Sequence, residues 1–314
     1  MGKNAMKRLN DLILKKDSRI CAGLDPTFEI IPESFKSKFI TGDKEDSEEN
    51  QYLMETIFEA YCSEYIEAVK DVVPAIKINS AFFEKMALED LYFAIAEKAK
   101  EAGLFVIGDV KRADIGSTSE AYAEAFLGKD SPFDAITINP YFGTDGVMPF
   151  LKLAKENGKG VFILVKTSNK SSGEIQDIKT LDGRYVYEVV ADLVVRWGKE
   201  IEPEEDDYNI VGAVVGATYS DQLKGLAEKM LNTFYLVPGY GQQGATADDV
   251  AVAFDGEGKG AIVNSSRGIM QAYKKECWKD KYSEETWAEA AKAEAIRATK
   301  EINTAIDMCM SIHH

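Results

Sequence analysis

The chain reads as an α/β protein, a (β/α)8 TIM barrel in one domain. Three observations lead there. Eight short apolar runs are separated by helical periodicities, most of the runs are continuous rather than alternating, and five of them end in charged or polar residues. Continuous runs suit strands covered on both faces of a parallel sheet. A doubly wound sheet is the alternative architecture.

Taken in order, Met6, Leu9 and Ile13 recur at helical spacing and predict an amphipathic N-terminal helix. Strands are expected over residues 19–23, 73–78, 104–108, 135–138, 160–165, 210–215, 234–237 and 260–263. Helical patterns fall between them, among others over 52–69, 88–100, 119–126 and 185–197. Residues 27–50, acidic and containing Pro32, read as an insertion after the first strand; 200–208 read as a second polar insertion before the sixth. A closing helix over 284–308 places Trp287, Ala291, Ala295, Ala298 and Ile302 on one face. There is no internal repeat and no low-complexity linker, so one domain spanning 1–314, decorated by the two insertions, is expected.

Composition narrows the function. With 314 residues and 45% of them hydrophobic, a large core can form, and the length suits a decorated barrel. A net charge of −16 argues against a nucleic-acid groove, which needs a basic stripe, but leaves room for a small phosphorylated ligand held by one arginine and backbone amides. No apolar stretch approaches the ~20 residues of a membrane span, and the N-terminus lacks the apolar core of a signal peptide. Cys21, Cys62, Cys277 and Cys309 are scattered and read as reduced packing residues, which points to the cytoplasm rather than to a disulfide framework or a zinc site. The only histidines are His313 and His314. Histidine-based nucleophilic sites and histidine-ligated metals are therefore not expected, and catalysis must run on Lys, Asp, Glu, Arg, Tyr or a hydroxyl.

The strand ends carry such groups. After the third strand comes Asp109-Val-Lys111-Arg-Ala-Asp114, and on an extended chain Asp109 and Lys111 share a face. Taken alone, such a pair is equally a structural ion pair. Asp25 follows the first strand, Lys77 lies in the second, Lys166-Thr-Ser168-Asn169 follows the fifth, and Ser265-Ser-Arg267-Gly268 ends the eighth. A barrel gathers these strand ends at one face. Arg112 reads as a salt-bridging or interface residue, Tyr141 and Tyr240 as packing or loop contacts, and Lys166 as able to point away from the site. The loop Gly239-Tyr-Gly241-Gln-Gln243-Gly244 matches the G-x-G-x-x-G spacing of dinucleotide folds, but it lies late in the chain, after Pro238. Its place before the eighth strand favours a barrel phosphate loop, with Gln243 and Arg267 as phosphate ligands. Thr246 and Asp249 form a capping box for the helix that follows.

Together these residues resemble the orotidine 5′-monophosphate decarboxylase family in its longer bacterial form. The match rests on Asp109-Val-Lys-Arg-Ala-Asp-Ile115, Gly23-Leu-Asp25-Pro26, Lys77, Pro238-Gly-Tyr-Gly-Gln-Gln-Gly244 and Ser265-Ser-Arg267-Gly268, in order across most of the chain. The resemblance implies conversion of orotidine 5′-monophosphate to UMP and carbon dioxide in de novo pyrimidine biosynthesis. It implies no cofactor and no metal, and a homodimer with active sites at the interface. Lys111 would protonate C6 and Asp109 would face the substrate carboxylate, with Lys77 and Asp114 completing the charge array. Asp114 and Thr118 would reach the site from the partner subunit. Asp25 and Lys77 would bind ribose hydroxyls, Ser168 the pyrimidine, and Gln243 with Arg267 and Gly268 the phosphate. Two other readings stay open: a magnesium-dependent sugar-phosphate barrel, whose members carry an acidic ligand where this chain has Lys77, and a catalytically silent nucleotide-binding barrel.

Overall fold

The structure is a computed structural model that describes residues 4–40, 47–202, 208–241 and 244–312. Eight parallel strands close into a barrel: β1 Ile20–Leu24, β2 Ala75–Asn79, β3 Phe105–Arg112, β4 Ala135–Ile138, β5 Gly160–Lys166, β6 Val211–Val215, β7 Tyr235–Pro238 and β8 Ala261–Ser265. Each strand pairs with its sequence neighbour, and β8 pairs with β1. The expected (β/α)8 architecture is therefore the observed one.

Side-chain alternation builds two interior layers. The lower one is apolar: Cys21, Ala75, Phe105, Ile107, Ala135, Phe162 and Ile262 pack inside the barrel. Two residues further along the strands the inward positions turn polar, and Lys77, Asp109, Thr137 and Asn264 line a cavity. The intervening residues, such as Ile76, Ile78, Val106, Ile136, Ile138 and Val263, point outward into the core shared with the surrounding helices. One strand thus supplies a helix-facing apolar row and a site-facing polar group, because its side chains alternate.

The N-terminal helix, Ala5–Lys16, is capped by Asn4 and turns Ala5, Met6, Leu9 and Ile13 onto the lower layer, closing that end. Met6 reaches Gly160, where an added Cβ would lie 2.7 Å from its methyl carbon. The closing helix, Trp287–Ile312, buries the expected face of Trp287, Ala291, Ala295, Ala298 and Ile302. It also buries Glu294, which is held by Lys275, Trp278 and Arg297.

Two expectations change in detail. The first insertion holds a short helix, Glu33–Lys36, and its end belongs to the helix Ser47–Val69. The third strand does not stop at Gly108 but continues to Arg112, through a break in register against β4. The second insertion falls largely on residues 203–207, outside those described, as do His313 and His314.

Candidate active site

A cavity of about 420 Å³ opens at the C-terminal ends of the strands, large enough for a nucleotide-sized ligand. At its centre Asp109 is pinned from three sides. Lys77 Nζ donates to Oδ2 at 2.6 Å, Lys111 Nζ to Oδ1 at 2.5 Å, and the Thr137 hydroxyl to Oδ1 at 2.9 Å. Asp25 Oδ1 lies 3.8 Å from Lys77 Nζ and extends the row to four alternating charges.

Burial alone would push Asp109 and Lys77 toward their neutral forms, since desolvation penalises the charged form. Burial pushes the Asp109 carboxyl up, but Lys77 and Lys111 outweigh it and hold the group well below the usual carboxylate range. Burial likewise pushes Lys77 down, and Asp109 with Asp25 holds it above an ordinary lysine. Two opposite charges 4 Å apart are worth about 4 kcal/mol at an effective dielectric near 20, so packing the charges together keeps Asp109 and Lys77 ionised. Lys111 differs in exposure: half of its side chain is open to the cavity.

The backbone explains how Lys111 gets there. Gly108 pairs with Ile136 and Arg112 with Ile138, so Asp109, Val110 and Lys111 bulge opposite Thr137 alone. Within the bulge Lys111 has φ +43°, a left-handed conformation rare for a side-chain-bearing residue. Asp109 and Lys111 share a face, as expected, but through a bulge rather than a regular extended strand.

The remaining expected residues divide cleanly. Asp25, Ser168, Arg267 and Gly268 line the cavity with Lys77, Asp109 and Lys111. Arg267 is exposed at the rim. Gly23 has to be glycine here, because a Cβ would sit 1.9 Å from the Ser266 hydroxyl. Asp114 and Thr118 do not line the cavity of their own chain; Asp114 accepts from Ile115 N at 2.8 Å, and Thr118 is exposed on the following helix, Gly116–Leu127. Gln243 lies outside the described residues, although Gly239 and Tyr240 of its loop line the cavity. Lys166 points away: it is fully buried, bonded to Asp177 at 2.7 Å and seated over the Tyr219 ring. Arg112 is a salt-bridging residue, paired with Glu84 at 2.6 Å.

Three polar lining residues were not anticipated as part of the site: Asn79, Thr137 and Asn264. Each is a polar residue in a largely apolar strand, on the same parity as an interior residue two positions earlier, and that parity is the signal that finds them. The Oδ1 atoms of Asn264 and Asp25 are buried without a hydrogen-bond partner among the described residues. Buried acceptors of this kind call for donors from a ligand, such as hydroxyl groups.

Comparison with known proteins agrees with this geometry. Residues 18–279 match the family described as orotidine 5′-phosphate decarboxylase / HUMPS. The chain belongs to this family. The orotidine 5′-phosphate decarboxylase of Rhodopirellula baltica is 40% identical over 303 residues, covering 94% of this chain and 97% of its own. That of Caldicellulosiruptor saccharolyticus is 41% identical over 86% of this chain and 90% of its own. Among solved structures, a putative orotidine-monophosphate decarboxylase from Toxoplasma gondii superposes with a TM-score of 0.79 at 28% identity, covering 99% of each chain. A putative orotidine 5′-phosphate decarboxylase from Streptomyces avermitilis gives 0.75 at 31% identity, covering 98% of this chain and 97% of its own.

Proposed function

We propose that Lys111 is the proton donor in the family's reaction, and that Lys77, Asp109 and Asp114 complete the array that positions it. The reaction, decarboxylation of orotidine 5′-monophosphate to UMP in pyrimidine biosynthesis, makes the protein a carbon–carbon lyase. The observation that carries the residue assignment is the row Asp25, Lys77, Asp109, Lys111, with the one accessible ammonium at its end.

In this reading the bond from C6 to the carboxylate breaks, its electron pair stays on C6, and C6 takes a proton from Lys111 Nζ. The pyrimidine delocalises that pair poorly, so an ammonium fixed beside it both stabilises the charge and supplies the proton. Asp109 sets the direction of Lys111 and faces the departing carboxylate; repulsion there is relieved as carbon dioxide leaves. Asp25 and Lys77 take ribose hydroxyls, Ser168 the pyrimidine, and Arg267 with Gly268 and Gln243 the phosphate.

The magnesium-dependent reading fits less well. A divalent cation would have to displace the Lys77 ammonium from between Asp25 and Asp109 or sit against it. The test is the ultraviolet absorbance change of orotidine 5′-monophosphate with and without EDTA. EDTA-insensitive formation of UMP is expected; loss of activity in EDTA would favour the metal-dependent reading.

Arg267 is expected to act through the phosphate. Arg267→Ala should raise KM by about 10- to 100-fold, the worth of a charge-assisted bond to phosphate. An unchanged KM would remove Arg267 from that role.

We further propose that the protein works as a homodimer in which Asp114 and Thr118 complete the site of the partner subunit. Both lie outside the cavity of their own chain, Ile115, Tyr141 and Phe142 are large apolar residues left exposed, and Phe142 and the Asp114 carbonyl flank Gly146 together. Mixing inactive Lys111→Ala and Asp114→Ala proteins should restore activity, towards about a quarter of the wild-type sites, through hybrid dimers with one intact site. A mixture as inactive as its components would argue against sharing. The whole chain is proposed to act as one domain in the cytoplasm. The four cysteines are free, and no helix among the described residues is long and apolar enough to cross a membrane.

A further inference from the structure

We infer that Thr137 is the positioning residue that sets Lys111 for proton transfer, an assignment that rests on Lys111 being the proton donor. The register break leaves Thr137 as the one β4 residue opposite the three-residue bulge of β3. The bulge removes regular ladder bonds, and the left-handed backbone of Lys111 is unfavourable for a residue with a side chain, so it persists only where the surroundings over-determine it.

The Thr137 hydroxyl supplies that constraint. It accepts the Lys111 backbone N–H at 3.1 Å and donates to Asp109 Oδ1 at 2.9 Å, the same oxygen that takes Lys111 Nζ at 2.5 Å. A hydroxyl can accept one hydrogen bond while donating another, so a single group stitches the backbone of Lys111 and its carboxylate partner to β4. Lys111 is thereby held at both ends of its side chain by one buried side chain that alternation points inward. Outside the barrel the bulge has a second brace. Arg112 donates to Val110 O at 3.1 Å and to Glu84 at 2.6 Å. Loss of the Thr137 hydroxyl should therefore leave the fold in place and loosen the aim of Lys111.

Valine nearly matches threonine in shape and suits a strand, but it orphans the Lys111 N–H and removes a donor from Asp109. Thr137→Val should lower kcat by about 10- to 100-fold, with KM for orotidine 5′-monophosphate and the Kd for UMP within about 3-fold of wild type. The ribose and phosphate contacts are untouched. Thr137→Ser, which keeps the hydroxyl, should retain kcat within about 3-fold. A Thr137→Val protein with wild-type kcat, a Thr137→Ser protein as impaired as Thr137→Val, or a loss confined to KM would overturn the assignment. If Thr137→Val does not fold, Thr137→Ala takes its place and must show the same split from Thr137→Ser. Lys111→Ala measured alongside separates the two levels. Turnover by Lys111→Ala would defeat the proton-donor reading itself, whereas an inactive Lys111→Ala beside an unaffected Thr137→Val defeats only the role of Thr137.

Discussion

Replacing Lys111 with alanine is expected to lower kcat by about 10⁴-fold or more while leaving UMP binding measurable. Two losses combine. General acid catalysis contributes about 10²- to 10⁴-fold, and removal of a preorganised charge beside a developing anion about another 10²- to 10³-fold. Binding should survive because the expected ribose and phosphate contacts come from other strand ends, Asp25 and Arg267. Folding should survive as well. The Lys111 side chain is half exposed, so its ion pair with Asp109 contributes little stability once solvent screening is allowed for. Asp109 also keeps Lys77 and Thr137. The measurement is kcat for orotidine 5′-monophosphate beside UMP affinity and Tm. Near-normal turnover would exclude Lys111 as the donor, and a collapse of Tm would make the effect structural.

How much of this was legible in the sequence depends on which physical signal carried it. The eight strands were legible because each is a short run covered on both faces, as at Ala261–Ser265, where every residue is buried. The Thr246–Asp249 capping box was legible because it is local chemistry; the Thr246 hydroxyl does accept from Asp249 N. Lys77 and Asp109 were found because charge in a buried strand is conspicuous. Thr137 was passed over because a threonine is unremarkable in a strand, and only its parity with Ala135 shows that it faces inward. The extension of β3 to Arg112 was hidden more deeply. A charged stretch after an apolar run reads as a loop, and no rule of propensity assigns a lysine a left-handed backbone. That conformation is imposed by contacts from β4 and from the helix Ser80–Glu84, distant in sequence. The helix Gly143–Glu156 was likewise obscured, since Gly143, Gly146 and an internal Pro149 speak for a turn.

Asp109→Asn is expected to lower kcat by about 10³-fold and to destabilise the fold by about 3 kcal/mol near neutral pH, because it removes the counter-ion shared by Lys77 and Lys111. The stability effect should carry a diagnostic pH dependence. In the native protein Asp109 titrates below its ordinary value, so its contribution is present above the ordinary carboxylate range and is lost only as pH falls through the lower folded value. Lys77 titrates above its ordinary value, so its contribution is present below the ordinary lysine range and is lost only as pH rises through the higher folded value. Between those limits this pair makes the stability curve flat. In Asp109→Asn, burial of Lys77 remains, but its nearest anion becomes Asp25, 3.8 Å away and without a hydrogen bond. Desolvation then prevails and Lys77 titrates below an ordinary lysine, which reverses the sign. The unfolded chain now binds the proton more tightly, so stability rises with pH across the alkaline range. Urea midpoints at about pH 6.5 and about pH 9.5 check this: the variant should gain relative to wild type at the higher pH, with its acid-side deficit traceable to one buried ammonium that has lost its hydrogen-bonded counter-ion. Equal midpoints for variant and wild type at both pH values would mean that Asp25 alone suffices for Lys77, and that Asp109 serves the reaction without anchoring the charges around it.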